Sequence, residues 1–267
     1  MSGPIPALIL AGSRGPDDPL ALATGTEHKA FIEIGGQPML ARVVAALSQV
    51  PAVGRITIAI ERPELVEAAT SLAHWRAEGR LSVMRAADSP AATVARALEQ
   101  IDGAPPLFVT TADHALLTPQ MVRHFLDHAP AEADVAAGIA TDHTIQAAYP
   151  GTRRTYLRFR GIAFSGCNLF LFRSERARHV ADLWREVERH RKRPWRMIAM
   201  LGIGNLTRFL LGRLTLPDAL ARLSTRTGAR LAAVDMPFAE AAIDVDKPAD
   251  LELVRGIVER SVSPSRP

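Results

Sequence analysis

The sequence predicts an α/β fold, a mostly parallel sheet covered by helices on both faces, and two observations carry that prediction. Short apolar runs alternate with helix-period segments through the first half of the chain, the pattern of successive strand–helix units. The chain also has 267 residues, 48% of them hydrophobic, with no Pro/Gly/Ser-rich linker to divide it. That length suits one large domain with a substantial core.

Each element has its own signal. ALILA (Ala7–Ala11) is a strand-like run ending in a Gly turn. From Pro38 to Ser48, residues Met39, Leu40, Val43, Val44 and Leu47 share a helical face, and Pro38 suits the first turn. Strand-like Arg55–Ile60 precedes a helical pattern from Arg62 to Glu78. Leu81–Met84 reads as a short strand, Ala91–Ile101 as a helix and Leu107–Thr111 as a buried strand. Thr118 caps a helix with Pro119 in its first turn. Beyond it, Ala133–Ala140 and Asn168–Phe172 read as strands separated by a polar segment. Helices follow from Ser174, and the region around 174–230 reads as a helical insertion on the substrate side of a single domain. The Pro-Ser tail reads as a frayed end.

Composition narrows the function classes. One cysteine, Cys167, leaves no intramolecular disulfide and no cysteine-based zinc site within one chain. It lies in an apolar run and reads as a small buried residue. No apolar run reaches the ~18–20 residues of a transmembrane helix. The N-terminus lacks a basic secretion-signal region, so the cytoplasm is the expected compartment. Net charge is +4, but Lys and Arg concentrate between Arg185 and Arg196. That run is either a solvated helix end or a surface for a phosphate-bearing acceptor, an anionic membrane or nucleic acid. Nucleic acid is disfavoured because no aromatic stacking platform accompanies the charge. The apolar stretch Met197–Leu216 beside it is interrupted by Gly, Asn and Arg. Core packing accounts for it; peripheral membrane contact is the narrower alternative.

Three constellations carry chemistry. In the first, the strand at Ala7 runs into a Gly-containing loop, and Lys29 follows Gly12 by 17 positions. Glycine lets backbone N–H groups approach phosphate oxygens, and Lys29 would neutralise triphosphate charge. Neither a Walker loop nor a GxGxxG fingerprint is present. In the second, Leu107–Thr111 delivers Asp113 to the C-terminal edge of the sheet, where open α/β sheets bind ligands. A carboxylate there suits Mg²⁺ shared with substrate phosphates. In the third, Asp244 and Asp246 sit two apart in AIDVDKPADLELV, and one of them could complete a metal site from the far end of the chain; helix capping is the structural alternative.

Taken together, these motifs resemble the MobA-like NTP transferases: nucleotidyltransferases related to molybdenum cofactor guanylyltransferase and to sugar-phosphate nucleotidylyltransferases. Leu10, Ala11, Gly12, Gly15 and Lys29 are similar to that family's opening LAGGxGxR…PK, and Asp244–Leu251 to its late D/N-x-D/N-x-P-x-D-L element. The resemblance implies a Rossmann-like three-layer α/β/α fold of glycosyltransferase-A type. It implies nucleotide contacts at Leu10, Ala11, Gly12, Ser13, Arg14, Gly15 and Lys29. It puts Ser89 and Thr93 near the base. Asp113 and Asp246 become the ligands of Mg²⁺ (or Mn²⁺), with Lys29 and Asp113 catalytic. The SGCN element suggests acceptor contacts at Gly166 and Asn168. The implied activity joins the nucleoside monophosphate of a triphosphate to a phosphorylated small-molecule acceptor and releases pyrophosphate. The chain departs from the pattern at Ser13, where the family has Gly; at Asp17, near its Arg; and at His28, where it has Pro. The rival readings are a metal-dependent glycosyltransferase using a nucleotide-sugar and a non-catalytic nucleotide-binding protein of the same fold.

Overall fold

The computed structural model describes residues 3–13, 18–152, 154–189 and 211–262. Arg14, Gly15, Asp17 and Arg153 lie outside the described residues, as does all of 190–210, which holds most of the basic run and of the apolar stretch. Strand β1 (Ile5–Leu10) leads through helix α1 (Pro19–Thr24) and a single 3₁₀ turn, Lys29–Phe31. A small hairpin follows, β2 (Glu33–Ile34) and β3 (Gln37–Pro38). Helix α2 (Met39–Ser48) buries the apolar face seen in its sequence, and β4 (Val53–Ile60) returns parallel to β1.

The helix expected from Arg62 to Glu78 is broken into α3 (Pro63–Ala68), a 3₁₀ turn at Thr70–Leu72 and α4 (Ala73–Ala77). Ala69 between them is extended, with ψ 109°. The Arg76 guanidinium donates to the carbonyls of Val66 and Glu67 that this break leaves without helical partners. Next come β5 (Leu81–Arg85), α5 (Pro90–Gln100), β6 (Leu107–Thr111) and α6 (Pro119–His128). Thr118 caps α6 by accepting from the Met121 N–H, as its position before Pro119 predicts.

The second half holds β7 (Val135–Thr141), α7 (Asp142–Ala148), β8 (Leu157–Phe159) and β9 (Ile162–Phe172). Helices α8 (Ala177–Arg189) and α9 (Leu216–Thr227), β10 (Leu231–Asp235) and α10 (Pro248–Val262) complete it. The sheet order is β10-β7-β9-β6-β1-β4-β5, with β8 pairing on β9. β1 pairs parallel with β4 and β6, β4 with β5, and β10 with β7. β9 lies antiparallel between β6 and β7.

Alternate residues of β1 feed opposite faces, as strand geometry requires. Ala7 and Ile9 join a cluster with Val43, Val44 and Leu47 of α2 and Val122 and Phe125 of α6. Leu8 joins Val94 and Leu98 of α5 and Ala177 and Ala181 of α8 on the other face. Helices on both faces of a mostly parallel sheet make this a Rossmann-like α/β/α fold. Among the described residues, no helix is long and apolar enough to cross a membrane.

Candidate active site

The parallel strands end side by side, so the segments leaving them meet at one edge of the sheet. Continued pairing holds them there: the Ala11 N–H bonds to the Ala59 carbonyl at 2.8 Å, and the Ala112 N–H to the Leu10 carbonyl at 2.9 Å. Gly12 and Asp113 follow these last pairings directly. A cleft of about 380 Å³ opens at this edge and is lined by Gly12, Lys29, Asp113, Asn168 and Asp246, among others. Leu10, Ser13, Ser89 and Thr93 also face it. Ala11 lies just beneath, against Lys29 and Asp113. Gly166 does not line the cleft, and it is solvent-exposed.

The centre of the site is a three-residue cluster. Lys29 Nζ donates to Asp113 Oδ2 at 2.9 Å and to Asp246 Oδ1 at 2.8 Å. These residues stand 84 and 217 positions apart in the chain, yet one ammonium touches both carboxylates. Burial works against the charge on Lys29, but the Asp113 and Asp246 carboxylates outweigh it and raise the ammonium's pKa above its ordinary value. Thr111 donates its hydroxyl to Asp113 Oδ1, fixing the carboxylate. The Val245 N–H bonds to the Asp113 carbonyl at 3.1 Å, tying the late segment to the β6 edge. Asp250, buried in the first turn of α10, accepts from the N–H groups of Asp246 and Lys247 at 3.2 Å each. Capping therefore falls to Asp250 and leaves the Asp246 carboxylate, 56% exposed, facing the cleft.

Asp244 points elsewhere. Its carboxylate meets Arg154 Nη1 at 2.9 Å and the Asn168 amide at 3.3 Å. Burial raises its pKa, with Arg154 opposing and the charges of Asp113 and Asp246 adding to the rise. Arg154 is a buried structural arginine. It pairs with Asp244, lies 3.8 Å from Asp250 and donates to the Ala242 carbonyl.

Two carboxylates that converge on one cation are a fitting donor set for a hard divalent ion. Among the described residues no cluster of three or more His, Cys, Asp or Glu is arranged to hold a metal. Mg²⁺ commonly takes one or two carboxylates and completes its shell with water and substrate phosphates, so Asp113 and Asp246 are the residues that could hold one. His114, beside Asp113, is fully buried and makes only a weak contact with the Glu240 backbone. Burial pulls its pKa down to about 4, so it is a neutral core residue.

The loop differs from its sequence expectation in one respect. The Ser13 N–H is shared between the two Glu61 oxygens at 3.3 Å each. Ser13 also donates its hydroxyl to Asp18 at 3.3 Å, and Asp18 caps α1 through the Leu20 and Ala21 N–H groups. After β5, the Ser89 hydroxyl caps α5 by accepting from the Ala92 N–H. Thr93 Oγ1 donates to the Ser89 carbonyl and accepts from the Ala87 N–H. Both residues shape the turn that borders the cleft.

Several contributors escaped the sequence reading. Phe170 and Trp184, their rings 5.5 Å apart, form an apolar wall of the cleft. The spacing Ala177, Ala181, Trp184 signals a packed face of α8 but not a cleft. Glu61 follows β4 as Asp113 follows β6, so the strand-end rule that selects Asp113 also points to it.

Asn168 has φ +50°, at the register shift where β9 passes β7. Asparagine tolerates this left-handed backbone better than most residues. Gly138 faces the irregularity on β7: a Cβ there would stand 3.3 Å from Leu169 Cβ and 3.4 Å from Cys167 Cβ.

Comparison with known proteins places the chain by family and fold. The family described as the MobA-like NTP transferase domain matches residues 7–199. A search of curated proteins found no match. Among solved structures, a hypothetical transferase from Thermus thermophilus is 31% identical, with TM-score 0.77 over 93% of this chain and 99% of that one. A 4-diphosphocytidyl-2C-methyl-D-erythritol synthase from Anaerococcus prevotii is 11% identical, with TM-score 0.58 over 97% of each chain. A CMP:2-keto-3-deoxy-manno-octonic acid synthetase complexed with CTP is 16% identical, with TM-score 0.54 over 98% of this chain and all of that one. The last two likenesses concern the fold. With a family match over more than half its length and a full-length relative at 31% identity, the chain belongs to the MobA-like NTP transferase family.

Proposed function

We propose that the chain is a Mg²⁺- or Mn²⁺-dependent nucleotidyltransferase that moves a nucleoside monophosphate from its triphosphate to a phosphorylated small molecule, releasing pyrophosphate. The observation that carries this reading is the convergence of Lys29, Asp113 and Asp246 at the mouth of the cleft. Asp113 and Asp246 would hold the ion, which when bound supplies charge neutralisation at the phosphates. Lys29, already protonated and oriented, would turn from the carboxylates toward a phosphate oxygen as charge builds there.

The reacting partners are both anions, so the barrier lies in repulsion and alignment. The chain answers with a cation and with fixed donors, and no strong general base is needed because the acceptor phosphate is ionised at neutral pH. Gly12 supports the same reading: among the described residues, its two chain neighbours aside, a Cβ there would meet nothing within 4 Å. A glycine there leaves the cleft side of its backbone open to a ligand. On the acceptor side Asn168, with its side chain at the cleft, takes precedence over Gly166.

The test is pyrophosphate release with Mg²⁺, across a panel of triphosphates crossed with sugar, alditol and lipid-precursor phosphates. One triphosphate–acceptor pair is expected to release pyrophosphate in step with product. Release of a nucleoside diphosphate from a nucleotide-sugar, with no pyrophosphate from any triphosphate, would instead identify a glycosyltransferase.

A further inference from the structure

We propose that His28 and Glu61 are positioning residues that join the phosphate-side loop to the lysine-bearing turn, so that Gly12 and Lys29 meet a triphosphate as one preset unit. The proposal rests on the triphosphate reading above and goes beyond it, because neither residue lines the cleft.

The geometry is a relay of four contacts. His28 stands immediately before the 3₁₀ turn Lys29–Phe31, and its Nδ1 accepts from the Ala30 N–H at 3.1 Å. That acceptor role leaves the ring proton on Nε2, which donates to Glu61 Oε1 at 3.0 Å. Glu61 in turn accepts the Ser13 N–H on both oxygens at 3.3 Å. Ser13 is bonded onward to Asp18, the cap of α1. His28 is 4% exposed and Glu61 33%, so the histidine's choice of tautomer is set inside the protein rather than by solvent.

The chemistry explains why a histidine stands here. A one-turn helix has almost no internal hydrogen bonding to hold it, and Lys29 leaves from its first residue. A capping acceptor fixes that turn. Proline at this position would preset the backbone but could neither cap the turn nor reach Glu61. Histidine does both with two nitrogens of opposite role. Glu61 takes up the Ser13 N–H, which holds Ser13 and the adjoining Gly12 at the border of the cleft. Misplacing a binding group by even an ångström is costly in a preorganised site.

Two substitutions separate the functions. His28→Asn keeps a good capping acceptor but is too short for Glu61. Glu61→Ala releases the loop and leaves the cap. Triphosphate binding by calorimetry with Mg²⁺, KM for each substrate, kcat and thermal melting are the readouts. Both variants are expected to weaken triphosphate binding by about 10-fold, with the acceptor's KM unchanged. The double variant should be no worse than Glu61→Ala alone, since both break one contact. His28→Ala, which also loses the cap under Lys29, should in addition lower kcat by roughly 10-fold or more.

Triphosphate affinity within twofold of the parent in His28→Asn and Glu61→Ala overturns the proposal. So does a fall in melting temperature with unchanged affinity in the folded protein, which marks a purely structural contact. If Glu61→Ala does not fold, Glu61→Leu, which keeps bulk but offers no acceptor oxygen, is held to the same twofold limit. A parent chain that binds no triphosphate overturns the functional reading as well, whereas a binding parent with unaffected variants overturns only this inference.

Discussion

The strands β1, β4, β5 and β6 run parallel, and each one's C-terminal end delivers something to the cleft or its supports. In the other half of the sheet, β9 runs against its neighbours, and what reaches the cleft is an asparagine at an irregularity and an aromatic wall. In the first half sequence position translates into site position through one rule, the shared edge of parallel strands. In the second half no such rule applies, and charge in the sequence is a poor guide. Arg154 turns inward to Asp244, while Asp246, two residues on, faces the cleft.

The contrast is broken or sharpened by variants in each half. The largest effect belongs to the parallel half. Asp113→Ala is expected to reduce turnover by about 10³-fold and Lys29→Ala by about 10²-fold, as lost transition-state electrostatics commonly do. Pyrophosphate release together with a far-UV spectrum checks both, and near-normal turnover in either folded variant would place the chemistry elsewhere.

In the other half Arg154→Met should act on stability. Removing one partner of a buried ion pair leaves its carboxylates uncompensated and costs about 3–5 kcal/mol, read as a lower urea midpoint. A variant of normal stability with a raised acceptor KM would assign Arg154 to the acceptor instead.

Next in size is a pH effect at the boundary between the halves. His114 is held neutral by burial, with a pKa near 4 against an ordinary 6.5. The unfolded chain therefore binds a proton first as pH falls, and folding stability drops from pH 6.5 toward 4. The neighbouring Asp113 charge opposes the downward shift and the Arg154 charge assists it. His114→Leu should flatten that slope by about 2 kcal/mol over the window, measured by urea unfolding in chelator; an unchanged slope would count against a buried neutral imidazole.

The smallest effect is expected at Asn168→Gly. Glycine suits the positive φ, so stability should change by no more than about 0.5 kcal/mol. Loss of the side chain should raise the acceptor's KM a few-fold without altering triphosphate binding.

The legible part of the molecule was its parallel half. Leu10, Gly12 and Asp113 are recognisable because a buried strand followed by a turn fixes where its next residues go, and Lys29 because it completes the opening motif. Asp246 was legible as one of a pair, but choosing between Asp244 and Asp246 required the contacts of Arg154 and Lys29, both distant in sequence. The direction of β9 and the irregularity at Asn168 were not legible, since an apolar run carries no sign of whether its partners are parallel. Nor was the break at Ala69, which has no Gly or Pro to mark it and depends on Arg76 reaching back across the turn. The His28–Glu61 contact was hidden for the same reason: each residue is ordinary until 33 positions of separation close to 3.0 Å.

The placement of β9 also has a consequence for how the chain is assembled. β6 and β7 do not touch as neighbours; the strand that joins them is made later, and the other neighbour of β7, β10, later still. A nascent chain that has emerged only to Gly161 carries β7 with neither of its partners and β6 with an open side. Unpaired strand edges invite association with other chains. Synthesis thus passes through an interval in which the parallel half can close around β1 while the middle of the sheet stays adhesive; the appearance of Ile162–Phe172 covers the open side of β6 and one side of β7, and Leu231–Asp235 covers the other side of β7.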